Sequence, residues 1–580
     1  MLRRAIGETM PKIEIAKADL EALVGQEIRP KDLEELLMTA KVELEGVDAA
    51  TGMLKLDCKD TNRPDLWCVE GIARQLRGSL DREVGAPNYN VTKGKVVVEV
   101  DKKVAKVRPL VVGAVIRNLK FNDLAIKQLI QLQEKVALTW GRKRRDAAIG
   151  VYDFDKIKAP IRYTTFKDNE IKFIPLESTE QMSPKQILER HPKGKEYGHL
   201  IAGSDFPILI DAADNVLSMP PVINSAWTGK VTEQTKNVFV EVTGWDERIV
   251  SLALNVVVTA LADRGGKIES VTIKSGKSIV TPDLGSSSVT VDPDQIRKFL
   301  GLQLSDAEII KLLERARYDA KPKDEKLVCI WPGYRADVMH VRDIIEDAGI
   351  LFGYNEMQPD VPRLHTPGGQ TIFEEFCVQL KELGIGLGFQ EIMTFILTNK
   401  ENLFRKMESA VLPITEIANP VSANWSAMRS WLTPSVLEFL AKNMHVEYPH
   451  RVFEVGDCVM LDERAETRTR TLRQICMVAT DTKVGYQDLA SVLDALLRNL
   501  GIVYKLQSCS CPHYIDGRAT EIIACENSIG TLGEIHPQVL NNWGLGKPVT
   551  ALELSVDALW ELVSKKRGAP IPKKHVHKVL

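Results

Sequence analysis

The sequence predicts a multidomain protein of mixed α/β and α+β class, and three observations carry that expectation. The chain has 580 residues, enough for roughly four domains of about 150 residues each. Segments with apolar residues at period two are interleaved with segments at helical spacing along its length. Polar stretches with Gly and Pro at 81–90 and 282–288 interrupt the pattern and mark boundaries. Apolar residues make up 44% and charged residues 27%, as in ordinary globular proteins.

Residues 1–90 read as a small α/β unit. Pro11–Ala16 alternates like a strand, Lys17–Val24 and Lys31–Met38 have helical apolar spacing, and Leu54–Cys58 alternates again. Asn62-Arg-Pro-Asp65 opens a helix expected from Leu66 to Arg77. A block of mixed sheets spans 91–284, with strands at Lys95–Val100, Leu110–Ile116 and Val238–Val242 and helices at Asp123–Leu138 and Leu252–Leu261. In 285–362 the strand Val289–Val291 leads into two short helices. Ser305 and Glu308 form a capping box that fixes the start of the second. The strand Lys326–Trp331 follows, and Pro332-Gly-Tyr-Arg335 runs into an acidic helix. Two short helices between strands predict a small helical or winged module. The last block, 363–580, has helices at Phe373–Leu387 and Leu432–Asn443, the latter with Pro434 in its first turn. Its strands are expected at Glu391–Leu397, Arg451–Gly456, Ile475–Ala479 and Ala551–Val556.

Net charge is −2, so nothing pulls the whole chain toward nucleic acid, and any such contact needs a local basic patch. The nine cysteines show no zinc spacing, and Cys509-Ser-Cys511 is their only close pair. That usage suits a reducing cytosol. No apolar run reaches the roughly 18 residues of a membrane span. Met1 to Pro11 has basic residues but no apolar core for a signal peptide, and reads as a short extension upstream of Met10. The basic tail from Lys565 to Lys574 reads as a frayed end. These features place the chain in the cytoplasm. Walker A, H-E-x-x-H and G-x-S-x-G motifs are absent, as are internal repeats.

Four carboxylates, Asp337, Asp343, Glu346 and Asp347, form the densest acidic constellation. The last three fall at i, i+3 and i+4, on one helix face. Ile344, Ile345, Ala348, Leu351 and Phe352 would pack the other. Such hard oxygen ligands suit Mg²⁺. Acids near a helix N-terminus that merely complement the macrodipole are the competing account.

Six strings in order point further: Asn62-Arg-Pro-Asp-Leu with Val69-Glu-Gly-Ile-Ala-Arg-Gln-Leu-Arg-Gly; Ala148-Ile-Gly-Val-Tyr-Asp-Phe-Asp-Lys; Leu217-Ser-Met-Pro-Pro-Val-Ile-Asn; Tyr334-Arg-Ala-Asp-Val with Asp343-Ile-Ile-Glu-Asp and Phe352-Gly-Tyr-Asn; Asn419-Pro-Val-Ser-Ala-Asn; and Phe453-Glu-Val-Gly-Asp. Together they resemble the phenylalanine–tRNA ligase β subunits of archaeal and eukaryotic type, over almost the whole chain. The resemblance implies four domains: an N-terminal α/β domain (1–90), a tRNA-deacylating editing domain (91–284), a small module with a Mg²⁺-type carboxylate cluster (285–362), and an inactive class II synthetase-like antiparallel-sheet module (363–580). It implies an α subunit that charges tRNA(Phe) with phenylalanine using ATP, in an assembly of two α and two β chains. The last block lacks a Gly-Arg element for ATP, so it reads as an assembly platform, with Thr433–Asn443 a candidate for packing on α. The resemblance associates Mg²⁺ at Asp337, Asp343, Glu346 and Asp347 with that assembly.

The chemistry implied for this chain is hydrolysis of mischarged Tyr-tRNA(Phe). Tyrosine is phenylalanine plus a hydroxyl, which an apolar pocket rejects only about 10²-fold. A second site should bind the phenol and leave phenylalanine's pocket partners unpaired. The resemblance places pocket residues at Leu209, Ser218, Asn224, Glu241 and Thr243. Leu209 would be a ring-packing wall, and Ser218 and Asn224 would flank the Pro220-Pro221 corner. Glu241 and Thr243 are two apart on one strand and so face one side. Glu241 would accept the phenol hydrogen bond, with Thr243 and Asn224 assisting. No Ser-His-Asp or Cys-His arrangement is apparent, so a water is expected to attack the ester. Gln133, Lys135 and Gly141-Arg-Lys-Arg-Arg145 form the densest basic cluster. Phosphate binding by Gln133 and Arg144 at the tRNA acceptor end competes with a plain solvated loop. A non-catalytic tRNA-binding or assembly scaffold of the same fold is the alternative function.

Overall fold

The computed structural model describes residues 11–366 and 368–567. They divide into two compact units that part between Val361 and Pro362. The extension upstream of Met10 and the tail beyond Arg567 lie outside the described residues. The tail is not frayed at 565–567, where it closes a helix. No described helix is long and apolar enough to cross a membrane.

The first unit opens with a three-stranded antiparallel sheet of β1 (Lys12–Ala16), β2 (Glu43–Val47) and β3 (Met53–Asp57), in the order β1-β3-β2. Period-two patterning works as expected: Ile13, Ile15, Leu54 and Leu56 are buried while Lys12, Glu14 and Lys55 meet solvent. Helices α1 (Lys17–Val24), α2 (Pro30–Met38) and α3 (Val69–Ser79) close over that apolar face. The third begins later than expected, because Pro64–Leu66 forms a separate 3₁₀ turn and Cys68 caps the helix, its Sγ accepting from the Gly71 N–H at 3.4 Å. A Cβ on Gly71 would stand 1.6 Å from the Asp65 carbonyl oxygen, so this turn-to-helix junction needs glycine.

An eleven-stranded mixed sheet follows. Its strands are β4 (Val91–Thr92), β5 (Val97–Val100), β6 (Leu110–Arg117), β7 (Ala147–Asp153), β8 (Ile161–Phe166), β9 (Phe206–Ile210), β10 (Val216–Met219), β11 (Ile223–Asn224), β12 (Val238–Gly244), β13 (Lys267–Ser275) and β14 (Lys277–Thr281). The order runs β11-β10-β9-β8-β5-β13-β6-β12-β7, with β4 and β14 both paired to β13. Helix α4 (Asp123–Leu138), the short α5 (Pro184–Arg190) and α6 (Pro192–Tyr197), and α7 (Glu247–Asp263) complete the block. Helix α7 starts five residues before the expected Leu252 because the Asp246 side chain caps it, accepting from Ile249 N–H at 3.0 Å. On β12, Val238, Val240 and Val242 join the core shared with α4 and α7, while Phe239 joins a second core with Tyr152, Leu209 and Leu217.

The unit ends with β15 (Ser287–Val291), α8 (Pro293–Leu300), α9 (Asp306–Arg315), β16 (Asp319–Lys323), β17 (Lys326–Trp331) and α10 (Val341–Phe352), its strands ordered β15-β17-β16. The Ser305–Glu308 capping box is present.

The second unit is built on a seven-stranded sheet. Its elements are α11 (Ile372–Gly386), β18 (Gln390–Glu391), β19 (Leu397–Thr398), β20 (Ala427–Met428), α12 (Thr433–Lys442), β21 (His450–Leu461), β22 (Thr469–Thr480), α13 (Tyr486–Asn499), β23 (Lys505–Ser508), β24 (Tyr514–Ala524), β25 (Asn527–Ile535), α14 (Pro537–Trp543), β26 (Val549–Ser555) and α15 (Val556–Arg567). The sheet order is β18-β21-β22-β26-β25-β24-β23, antiparallel apart from the short β18. Helices α11, α13 and α15 cover one face, while α12 and α14 cover the other. The strand expected over Glu391–Leu397 shrinks to short pairings at its two ends, and Met393 and Phe395 between them are exposed. The apolar residues Val436, Leu437 and Leu440 of α12 pack on this unit's own sheet. The buried Glu553 carboxylate accepts from Leu432 and Thr433 N–H at 2.7 and 2.9 Å and pins the helix start.

Candidate functional site

The site is built around the middle of β12. Glu241 pairs with Gly113 on β6 and with Gly150 on the edge strand β7, so no side chain stands beside it on either neighbour. Its carboxyl is buried, at 2% exposure, yet lines a cavity of about 610 Å³. That volume lies within the roughly 300–1,000 Å³ of small-molecule sites. Ile126, Leu129 and Ala137 of α4, Ile149 and Val151 of β7, and the Pro220–Asn224 turn give the cavity mainly apolar walls. Glu241 Oε1 accepts from the Tyr152 hydroxyl at 2.8 Å, and Oε2 is buried with no partner among the described residues. Burial pushes this carboxyl up to about 7, against the opposing pull of the Tyr152 hydrogen bond and the Arg108 guanidinium.

Of the other residues expected here, Asn224, Gln133 and Arg144 line the same cavity. Ser218 is buried behind it, its Oγ 2.8 Å from the Tyr152 hydroxyl. Leu209 is not among the cavity's lining residues. It is fully buried in the core with Tyr152 and Phe239, because β9 turns it inward opposite Ser218. Thr243 shares Glu241's strand face but its hydroxyl is taken, accepting from Arg108 Nε at 2.9 Å.

Arg108 is buried, among the described residues without a carboxylate in hydrogen-bond contact, and burial lowers it to about 10. Besides Thr243 it donates to the carbonyls of Arg144 and Arg145, at 3.0 and 2.9 Å, and so staples the basic loop to the sheet. Arg142, Lys143 and Arg144 all have left-handed backbones, with φ of 47°, 56° and 67°. Three such residues in a row are strained for side chains other than glycine. The loop backbone is therefore held, while the side chains of Arg142, Lys143 and Arg145 stay exposed. Arg142 and Arg145 both pair with Asp146. Arg144 turns inward, donating to the Pro221 and Val222 carbonyls at 3.3 and 3.1 Å across the 4.1 Å-distant Tyr197 ring. Lys135 is not among the lining residues.

Each of the four acidic residues has a protein partner within this chain. Asp347 is buried on α10. Arg335 bridges it to Asp337, donating to Asp347 at 2.7 Å and to Asp337 at 2.8 Å. Lys41 adds contacts to Asp347 at 3.1 Å and Glu346 at 2.8 Å. Asp343 caps its own helix, accepting from Met339 and His340 N–H. Arg335 and Lys41 are thus the cations in contact with Asp337, Asp347 and Glu346, and among the described residues no three His, Cys, Asp or Glu gather for a metal.

Sequence reasoning missed Tyr152, Arg108 and the glycines flanking Glu241. Only the string containing Gly150 and Tyr152, two apart on one strand face, carried a signal.

Residues 94–261 match the family model described as the B3/4 domain, residues 289–354 the tRNA synthetase B5 domain, and residues 357–556 the phenylalanyl tRNA synthetase beta chain CLM domain. The chain is 48% identical over 556 residues to a phenylalanine–tRNA ligase β subunit of Pyrococcus furiosus, covering 95% of this chain and 100% of that one. It is 37% identical over 551 residues to that of Methanocaldococcus jannaschii, covering 94% and 100%. Among solved structures it is similar to an N-terminal fragment of the phenylalanyl-tRNA synthetase β subunit from Pyrococcus horikoshii. That match has 50% identity and a TM-score of 0.58, over 59% of this chain and the whole fragment.

Proposed function

The chain belongs to the phenylalanine–tRNA ligase β-subunit family, and on that premise we propose that its Glu241 cavity hydrolyses Tyr-tRNA(Phe), the mischarged product of the ligase. The observation that carries this is the unpartnered Glu241 Oε2, buried at the wall of an apolar cavity. A buried acceptor without a donor is costly, by about 1–3 kcal/mol. A phenol hydroxyl supplies the donor, and a phenyl ring leaves the oxygen dry. Tyrosyl and phenylalanyl esters are thereby separated by roughly 5- to 150-fold at this one contact. Gln133, Asn224 and Arg144 at the cavity wall are polar partners for the ester and the terminal ribose. Water adds to the tyrosyl carbonyl, the ester C–O bond breaks, and the proton passes to the departing ribose oxygen.

Charging of tRNA(Phe) with phenylalanine is the work of the ligase of which such chains are the β subunit. ATP enters this proposal at the α subunit, in a cytoplasmic assembly of two α and two β chains. The 310 Å³ cavity of the second unit supports that division, because Trp431, His513, Met460 and its other lining residues include no arginine or lysine for a triphosphate. Asp337, Asp343, Glu346 and Asp347 are the residues that would hold the Mg²⁺ of the α–β assembly.

Glu241→Ala tests the proposal in the αβ holoenzyme. Phenylalanine charging should persist while Tyr-tRNA(Phe) deacylation drops at least ten-fold. Wild-type deacylation no faster than in buffer would instead favour the scaffold function.

A further inference from the structure

We propose that Tyr152 is a positioning residue of this site: its hydroxyl claims one oxygen of the Glu241 carboxylate and so leaves a single, directed acceptor for the phenol of a bound tyrosyl group. The inference rests on the deacylation function proposed above. The Tyr152 hydroxyl lies 2.8 Å from Glu241 Oε1, 2.8 Å from Ser218 Oγ and 3.5 Å from Asn224 Oδ1. A phenol has one proton and Ser218 can donate its own. Tyr152 therefore gives its proton to the carboxylate, the strongest acceptor within reach, and accepts from Ser218.

Packing alone does not account for the hydroxyl. The ring is fully buried and stacks on Phe239, with centroids 5.9 Å apart, a contact that phenylalanine would reproduce. The backbone is also arranged around this hydrogen bond. A Cβ at Gly150 would stand 2.2 Å from the Tyr152 Oη and 2.6 Å from Glu241 Oε1. Gly150 and Tyr152 are two apart on β7, so the hydroxyl reaches back over the bare glycine to the residue directly opposite it. Without Tyr152 both carboxylate oxygens would be open, the carboxyl would hold its proton more tightly, and it could offer a donor where an acceptor is needed. The other titratable groups that face Glu241 are Arg108, from the loop before β6, and Tyr163 on β8. Across the cavity stand Glu134, Arg144, Glu177, Lys193 and Lys230. None of them is hydrogen-bonded to Glu241, so Tyr152 is the group that orients it.

The test measures kcat, KM and pH profile for deacylation of Tyr-tRNA(Phe) and Phe-tRNA(Phe) by the holoenzyme carrying Tyr152→Phe, beside Glu241→Gln. Preference for the tyrosyl ester should fall roughly ten-fold or more. The rise of Tyr-tRNA deacylation with pH should move to higher pH, a displacement that general loosening would not produce. Should Tyr152→Phe fail to fold by circular dichroism, Ser218→Ala loosens the same hydroxyl, and a smaller displacement in the same direction is expected. Unchanged preference and pH profile, with deacylation still lost in Glu241→Gln, would overturn the role of Tyr152 alone. Full deacylation in Glu241→Gln would overturn the site itself.

Discussion

Burial sets the proton affinity of Glu241, and that affinity has a stability consequence apart from catalysis. The carboxyl titrates at about 7 in the fold against an ordinary value of 4.5. Its contribution is intact below the unfolded value and is lost as pH rises through the folded one, by about 3 kcal/mol in all. Glu241→Gln keeps the shape and cannot ionise. It is expected to melt higher than wild type at about pH 8 and close to it at about pH 4. Equal melting temperatures at both would contradict a carboxyl this buried. The strand face that Glu241 shares with Thr243 is legible from period two alone. What Thr243 does is not, because its partner Arg108 lies 135 residues away. Tyr152, 89 residues from Glu241, escapes for the same reason. Its role exists only in the pairing register of β7 against β12.

At the scale of elements, α10 separates what spacing can and cannot disclose. Its position and apolar face follow from the periodicity, but the partners of its acids do not. Lys41 and Arg63 belong to the start of the chain and reach Asp347 and Asp337 only through the fold. Burial alone would push the Asp347 carboxyl up, but Arg335, Lys41 and Arg63 outweigh it and hold it well below the usual carboxylate range. That stability is present above the ordinary value near 3.8 and is lost as pH falls. Asp347→Ala removes one of the two carboxylates that hold the buried Arg335, Asp337 being kept, and is expected to cost about 1–3 kcal/mol. Glu346→Ala, on the exposed end of the Lys41 contact, should stay within about 1 kcal/mol. Denaturation of the αβ holoenzyme with and without EDTA separates the two accounts: an ion-pair latch gives coincident curves, and a resident Mg²⁺ gives a loss of stability with chelator. The apolar alternation of Glu391–Leu397 misled in another way. It promised a strand, but past Glu391 the segment finds no neighbour to complete a ladder, and Met393 and Phe395 are left in solvent.

Across the whole molecule, the candidate site is confined to the first unit, since the residues lining the Glu241 cavity run from Ile126 to Glu241. The eleven-stranded sheet that holds them was only partly legible. Strand β9 is buried at every position and contains Pro207, so it shows neither alternation nor an uninterrupted β-branched run. Its place between β8 and β10 depends on pairings that no local pattern encodes. The second unit has its own cores on both faces of its sheet. The N-terminal fragment from Pyrococcus horikoshii, matched over its whole length at 50% identity, is evidence that a region of this kind is a stable body. Residues 1–361 produced alone are therefore expected to unfold in one cooperative transition and to deacylate Tyr-tRNA(Phe). Their kcat should stay within about two-fold of the holoenzyme value, and any loss should appear in KM, as it does when only uniform tRNA binding is removed. They should support no phenylalanine charging when mixed with the α subunit. A folded fragment with no deacylation would mean that the Glu241 cavity is not sufficient for the reaction, and a fragment that fails to fold would contradict the independence of the first unit.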